Sequence, residues 1–208
     1  MKQKIVIVGC GTHFHSVYDS LDEESYTIVG CFDNLIKEQT TPEGIKVLGG
    51  LDDLDKLNKE EIDGVIICIG DIALRRKLLN EIHRLGLKQV TIIDPTSIVS
   101  KQARIGEGTF VGKRAVINAN CTIGEACIIN TGSIIEHDCV IKENVHVSVG
   151  AILCGVVEVE NDVMIGAGST IIQHIHIEEN STIGANATII RNVEKGTTVV
   201  GSPGRKVK

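Results

Sequence analysis

Two histidines in the second half of this 208-residue chain stand where proton transfer could be done. His137 lies between Glu136 and Asp138. A carboxylate beside an imidazole fixes its tautomer and raises its basicity, which suits a general base. His146 follows among apolar neighbours. In the first half, Gly9-Cys10-Gly11-Thr12-His13 can turn backbone N–H groups toward a phosphate. Asp33 and Asn34 could hydrogen-bond a ribose or a base, and Gly70-Asp71 would line the same crevice. The third glycine of a dinucleotide fingerprint is absent, since Phe14 stands there, which argues against a dinucleotide packed in the usual way.

These residues need elements to place them, and the two halves differ in period. Ile5-Val6-Ile7-Val8 closes on Gly9, a helical stretch follows, and Thr27 to Phe32 leads to Asp33, which is a βαβ opening. Gly64 to Gly70 reads as a buried parallel strand, and Ile72 to Leu85 as a helix ending at Gly86. Residues 1–92 are therefore expected to form a small Rossmann-like domain. From Ile93 to Ile189 every sixth residue is aliphatic, 17 of 17 positions, with a small or β-branched residue four places on. A fixed period of six marks a parallel β-helix with three hexads per coil. The expected domain runs over 93–194, with 195–208 as a tail.

The residue before each inward aliphatic points outward from a flat face. The first face carries Ile98, Val116, Ile134, Ile152, Thr170 and Thr188, and the third carries Phe110, Ile128, His146, Met164 and Thr182. Only the second, with Arg104, Thr122, Val140, Glu158, His176 and Glu194, looks made for water, and there His176 should stack between Glu158 and Glu194. Two apolar faces on one prism imply a homotrimer in which the first face of one subunit meets the third of the next. His137 falls on a corner beside the first face, with Ala119 one coil below and Gly155 one coil above, so the wall beside it lacks bulk. The trimer would bring His137 and His146 of adjacent subunits toward one groove.

The net charge of −6 gives no reason to expect nucleic acid, and no apolar run is long enough for a spanning helix, so no membrane insertion is expected. Seven cysteines without a CxxC pair, and a start that reads Met-Lys-Gln-Lys rather than a signal peptide, point to a reducing, cytoplasmic setting. Cys121, Cys127 and Cys139 occupy small inward positions; Cys121 and Cys139 stack one coil apart, close enough for a disulfide, and are read as reduced. A zinc enzyme would need three convergent ligands, and only His137 and His146 converge, so no metal is expected.

The motifs Gly9-Cys10-Gly11-Thr12-His13, Phe32-Asp33-Asn34, Ile69-Gly70, Asn130 to Cys139 and His146 to Gly150 resemble those of bacterial sugar acyltransferases of the sialic-acid O-acetyltransferase type. Within that group the similarity is greatest to the UDP-4-amino-sugar N-acetyltransferases, and it runs over essentially the whole chain. The resemblance implies a left-handed β-helix, trimers, and acetyl-CoA in the groove between subunits. It further implies His137 as general base with Asp138 raising its basicity. His146, Gly155, Ala167 and Ala185 would border the CoA, while Gly11, Thr12, His13, Asp33, Asn34 and Gly70 would hold the nucleotide sugar. Arg191, Lys195 and the tail cations are the nearest candidates for the CoA phosphates. An O-acetyltransferase acting on a sialic acid or other sugar hydroxyl would need the same base, and a non-catalytic nucleotide-binding trimeric scaffold would share the architecture.

Overall fold

The computed structural model describes residues 2–36 and 38–208; Met1, counted into the first domain above, lies outside them. The chain divides into two compact units, Met1–Ile92 and Ile93–Lys208.

The first unit holds strands β1 (Gln3–Val8), β2 (Tyr26–Phe32), β3 (Val47–Gly49) and β4 (Gly64–Ile67) in one parallel sheet, ordered β3-β2-β1-β4. Ile5 to Val8 are wholly buried. Covered on both faces, β1 reads as an unbroken apolar run and not as an alternation. Helix α1 (Thr12–Tyr18) follows β1, and α2 (Ile72–Leu85) follows β4. The α2 helix starts where the Asp71 side chain accepts the Leu74 N–H at 2.7 Å, and stops at Gly86, whose φ of 63° is left-handed. Both ends fall where the sequence placed them. Because β1 is central, the loops after β1, β2 and β4 open at one end of the sheet, where the strand order reverses.

The second unit is a left-handed parallel β-helix, an exception to the usual right-handed crossover. Its three flat faces are parallel sheets built of short strands, with partners 18 residues apart, as in Ile134↔Ile152, Thr122↔Val140 and Ile128↔His146. The inward aliphatics from Val111 on pack into one core with the small inward residues Ala115, Cys121, Ala151 and Ala187. The first three inward positions behave differently: Ile93 is 44 % exposed, and Val99 and Ile105 are half-buried. They belong to the terminal coil, which has a neighbour on one side only.

One residue per hexad turns each corner with positive φ, at every sixth position from Gly108 to Asn186, with angles between 52° and 68°. Ten of the fourteen are Gly, Asn or Asp, the residues for which this conformation costs least. Asp138 is one of them. Among the cysteines, all seven are free thiols. The Sγ atoms of Cys121, Cys127 and Cys139 donate to the carbonyls of Glu136, Lys142 and Cys154 at 2.9, 3.0 and 3.2 Å, so each thiol ties its coil to the next.

Three expectations change at the surface. Stacking continues past residue 194, because Thr198–Val200 pairs with Thr182–Ile183 and Arg205–Lys206 returns antiparallel to it. The offset there is 16 residues and not 18, so this last turn drops out of the six-residue rule. The same shortening takes Glu194 away from His176, whose backbone N–H meets Asn192 Oδ1 at 2.9 Å while its ring faces Glu160 at 3.4 Å. Glu194 instead pairs with Lys206 at 2.9 Å. On the third face, Phe110 and Ile128 are 2 % and 1 % exposed within a single chain, so only His146, Met164 and Thr182 of that face are open to a partner.

Candidate active site

His137 is the corner residue before Asp138, and the left-handed backbone at Asp138, φ 59°, swings its carboxylate beside the imidazole. Nδ1 of His137 and Oδ2 of Asp138 are 2.8 Å apart. The other carboxylate oxygen accepts the Nδ2–H of Asn120, one coil below, at 3.0 Å. Asp138 therefore raises the pKa of His137, and His137 with Asn120 holds Asp138 below the ordinary carboxylate range. With Nδ1 committed to the carboxylate, Nε2 is the nitrogen left for a substrate proton. Glu136 is turned elsewhere: it accepts from Asn118 Nδ2 at 3.0 Å and from the His137 backbone N–H at 3.2 Å.

Gly155 lies directly over the ring. A Cβ placed there would sit 2.6 Å from His137 Cε1 and 2.8 Å from Nε2, closer than carbon and nitrogen can approach. The missing side chain is thus space occupied by the imidazole. His146, Ala167 and Ala185 are not brought to His137 within one chain. His146 is on the third sheet, and Ala167 and Ala185 are on the corner between the third and first sheets, whereas His137 is on the corner between the first and second.

In the first unit, Gly11, Thr12, His13, Asp33, Asn34 and Gly70 all line one cavity of about 460 Å³ at the carboxyl end of the sheet, with Leu35, Leu51, Ile69 and Leu74 as its apolar wall. Asp33 does different work from a free ribose ligand. Its Oδ2 accepts the Cys10 N–H at 2.7 Å and its Oδ1 the Leu35 N–H at 2.6 Å, so the carboxylate ties the first loop to the second. Asn34 Oδ1 accepts the Leu51 N–H at 2.7 Å, which leaves its NH₂ group as the end that can donate to a ligand. Phe14 is wholly buried in α1 against Tyr18, with ring centroids 5.4 Å apart, and fills the space that a glycine would leave for closer helix packing.

One contributor to the first cavity escaped the sequence reading. Arg75 is 1 % exposed on the inner stripe of α2 and donates to the carbonyls of Ile69 and Gly70 at 3.0 and 3.1 Å, shaping the third loop of the cavity. Its signal was available: with Leu78, Leu79 and Ile82 it forms an i, i+3, i+4, i+7 stripe in which one member is charged. Arg191, Arg205 and Lys206 line a second cavity of about 340 Å³ at the end of the β-helix. Lys195 is outside it, paired with Glu179.

Comparison with known proteins agrees with this architecture. The PglD N-terminal domain matches residues 4–82, and the bacterial transferase hexapeptide (six repeats) matches 102–137 and 156–191. No curated protein matches the sequence significantly. Among solved structures, the acetyltransferase domain of PglB from Neisseria gonorrhoeae is 28 % identical, with a TM-score of 0.91 over 99 % of this chain and 100 % of that one. Perosamine N-acetyltransferase from Caulobacter crescentus is 29 % identical, with a TM-score of 0.91 over 99 % of this chain and 97 % of that one, and is seen with CoA and GDP-perosamine. WeeI from Acinetobacter baumannii shares the fold at 24 % identity, covering 98 % of this chain and 100 % of that one with a TM-score of 0.81. Among the described residues no helix is long and apolar enough to cross a membrane, and no group of three or more His, Cys, Asp or Glu side chains could hold a metal ion. With a histidine–carboxylate pair on a β-helix of hexapeptide repeats and acetyltransferases superposing along its whole length, the chain is an acetyltransferase.

Proposed function

We propose that this protein transfers the acetyl group of acetyl-CoA to the amino group of a nucleotide-linked amino sugar, of the UDP-4-amino-sugar class, in the cytoplasm. The observation that carries the reading is the His137–Asp138 pair, its imidazole seated in the space that Gly155 leaves without a side chain. The sugar nitrogen attacks the thioester carbon while His137 Nε2 takes the amine proton. The C–S bond breaks as the tetrahedral intermediate collapses, and CoA leaves as the thiolate. The amine is a competent nucleophile once it loses its proton, so no covalent enzyme intermediate is needed. Structures of the Caulobacter relative with one histidine replaced by Asn or Ala, bound to CoA and GDP-perosamine, support a histidine at the centre of this chemistry.

The cavity lined by Gly11, Thr12, His13, Asn34 and Gly70 receives the nucleotide part of the acceptor, with Asp33 holding its loops together. His146, Ala167 and Ala185, remote from His137 in one chain, border the CoA from the neighbouring subunit of a homotrimer. Arg191, Arg205 and Lys206 are the cations nearest to its phosphates.

The test incubates the protein with acetyl-CoA and UDP- or GDP-linked amino sugars and follows free thiol. His137→Ala should lower turnover by about two to four orders of magnitude, as expected for a general base, with the oligomer intact. Wild-type turnover in that variant at saturating substrates would remove His137 from this role. UDP should bind the apo protein; tighter binding of NADH than of any nucleoside diphosphate would reassign the first cavity.

A further inference from the structure

We infer that Asn120 is a positioning residue for the acetyl transfer: its amide holds the Asp138 carboxylate so that the opposite oxygen meets His137 Nδ1. The inference rests on the reading of His137 as base. Asn120 Nδ2 donates to Asp138 Oδ1 at 3.0 Å, and Asp138 Oδ2 lies 2.8 Å from Nδ1, so the three side chains form one line across two coils. Each member stands at a place the coil geometry dictates. Asn120 and Asp138 are successive occupants of one corner column, both with positive φ, 61° and 59°. An exposed carboxylate next to an exposed histidine would otherwise rotate among several rotamers and point at Nδ1 only part of the time. The amide donor from the coil below removes that freedom.

The same bond occurs at a second corner, between the second and third sheets and away from His137, where Asn144 Nδ2 donates to Asp162 Oδ1 at 2.6 Å. If such pairs merely fasten coil to coil, the two corners should respond alike. This gives the experiment its internal control. The groups acting on the His137 charge are Asp138, Glu136 and, from the coil below, Cys121, while the coil above presents Gly155 to the ring. None of these is altered by Asn120→Gly, which also keeps a residue suited to positive φ.

The imidazole resonances of His137 are followed by NMR as pH is varied in wild type, Asn120→Gly and Asn144→Gly, alongside kcat and KM for both substrates. In Asn120→Gly the His137 midpoint should fall toward that of a free histidine, because the carboxylate no longer stays on Nδ1, whereas in Asn144→Gly it should not move. In Asn120→Gly kcat should drop roughly ten-fold, the low end for losing an outer partner that orients a functional histidine, with KM within about two-fold. A midpoint that stays or rises in Asn120→Gly, or that falls equally in Asn144→Gly, overturns the inference. Asn120→Asp covers the case in which glycine unfolds the corner, since it preserves shape and removes the donor; wild-type kcat in that folded variant also overturns it. Should the wild type acetylate no amino sugar at all, the functional reading fails, and the NMR comparison still decides the role of Asn120.

Discussion

At the scale of single residues, the pair His137–Asp138 acts through a protonation balance whose sign can be followed. Asp138 raises the pKa of His137, and only the neutral imidazole can accept a proton, so turnover should rise as pH climbs through that raised value. Asp138→Asn removes the charge that raises it. The acid limb of the kcat profile should then shift to lower pH while the plateau falls; a limb that keeps its position would detach Asp138 from the base. Gly155 makes the second prediction at this scale. A methyl at 2.6 Å from Cε1 must push the ring off its site, so Gly155→Ala should lower kcat by at least roughly ten-fold, as misplacing a reacting group by about an ångström does. The melting temperature should hardly change, because the corner before Val156 is otherwise unaltered. Unchanged kcat would show that the ring has room to yield. Asp33 teaches the complementary lesson: its residue type suggests a ligand contact, and its hydrogen bonds to Cys10 and Leu35 make it a clasp between loops.

At the scale of elements, each coil touches only the coils above and below, so stability is close to a sum of neighbour terms. Leu153 is wholly buried in the coil that carries Gly155. Leu153→Ala should cost about 2–5 kcal/mol by transfer and cavity together. Because the gap opens beside the strand leading to Gly155, activity should fall at temperatures below the global transition. Denaturant unfolding combined with an activity–temperature curve checks both parts, and coincident loss of activity and fold would show that the coils do not open separately. In the first unit the corresponding device is Arg75. Its buried guanidinium on α2 fixes the Ile69–Gly70 carbonyls, so a helix and the loop that precedes it are tied by a charge where a leucine would serve for packing alone.

At the scale of the whole molecule, the first face keeps Ile134 and Ile152 half-exposed in the single chain, one above the other, while the second presents Thr122 and Glu158 to water. Ile134→Glu would place an unpaired carboxylate in the proposed subunit contact at a cost of several kcal/mol, on the order expected for a buried unpaired charge, and three-fold symmetry repeats it. Light scattering should then find monomers, and turnover should vanish although neither histidine has been touched. Thr122→Glu should leave mass and turnover as they were. A monomeric wild type, or a trimer broken by Thr122→Glu alone, would show that other faces meet.

The amino-acid sequence by itself determined the repeat, its inward aliphatics, the βαβ opening, the ends of α2 and the residues around the first cavity. Each of these is a local pattern or a contact at a constant offset of 18 residues, so reading one hexad reads them all. Asp138 was legible for the same reason, being adjacent to His137 on a corner that favours Asp. What only the tertiary structure decided lies where the offset breaks or where bonding partners compete. Asn120 reaches Asp138 through a side-chain rotamer that spacing does not specify, and Asp33 chose backbone amides over the cavity. The last coil is two residues short, which moved Glu194 from His176 to Lys206, and Phe110 and Ile128 are buried in the single chain although their positions in the repeat point outward. A repeat predicts geometry as long as every turn has the same neighbours, and the ends of a solenoid and the non-repeating first unit do not.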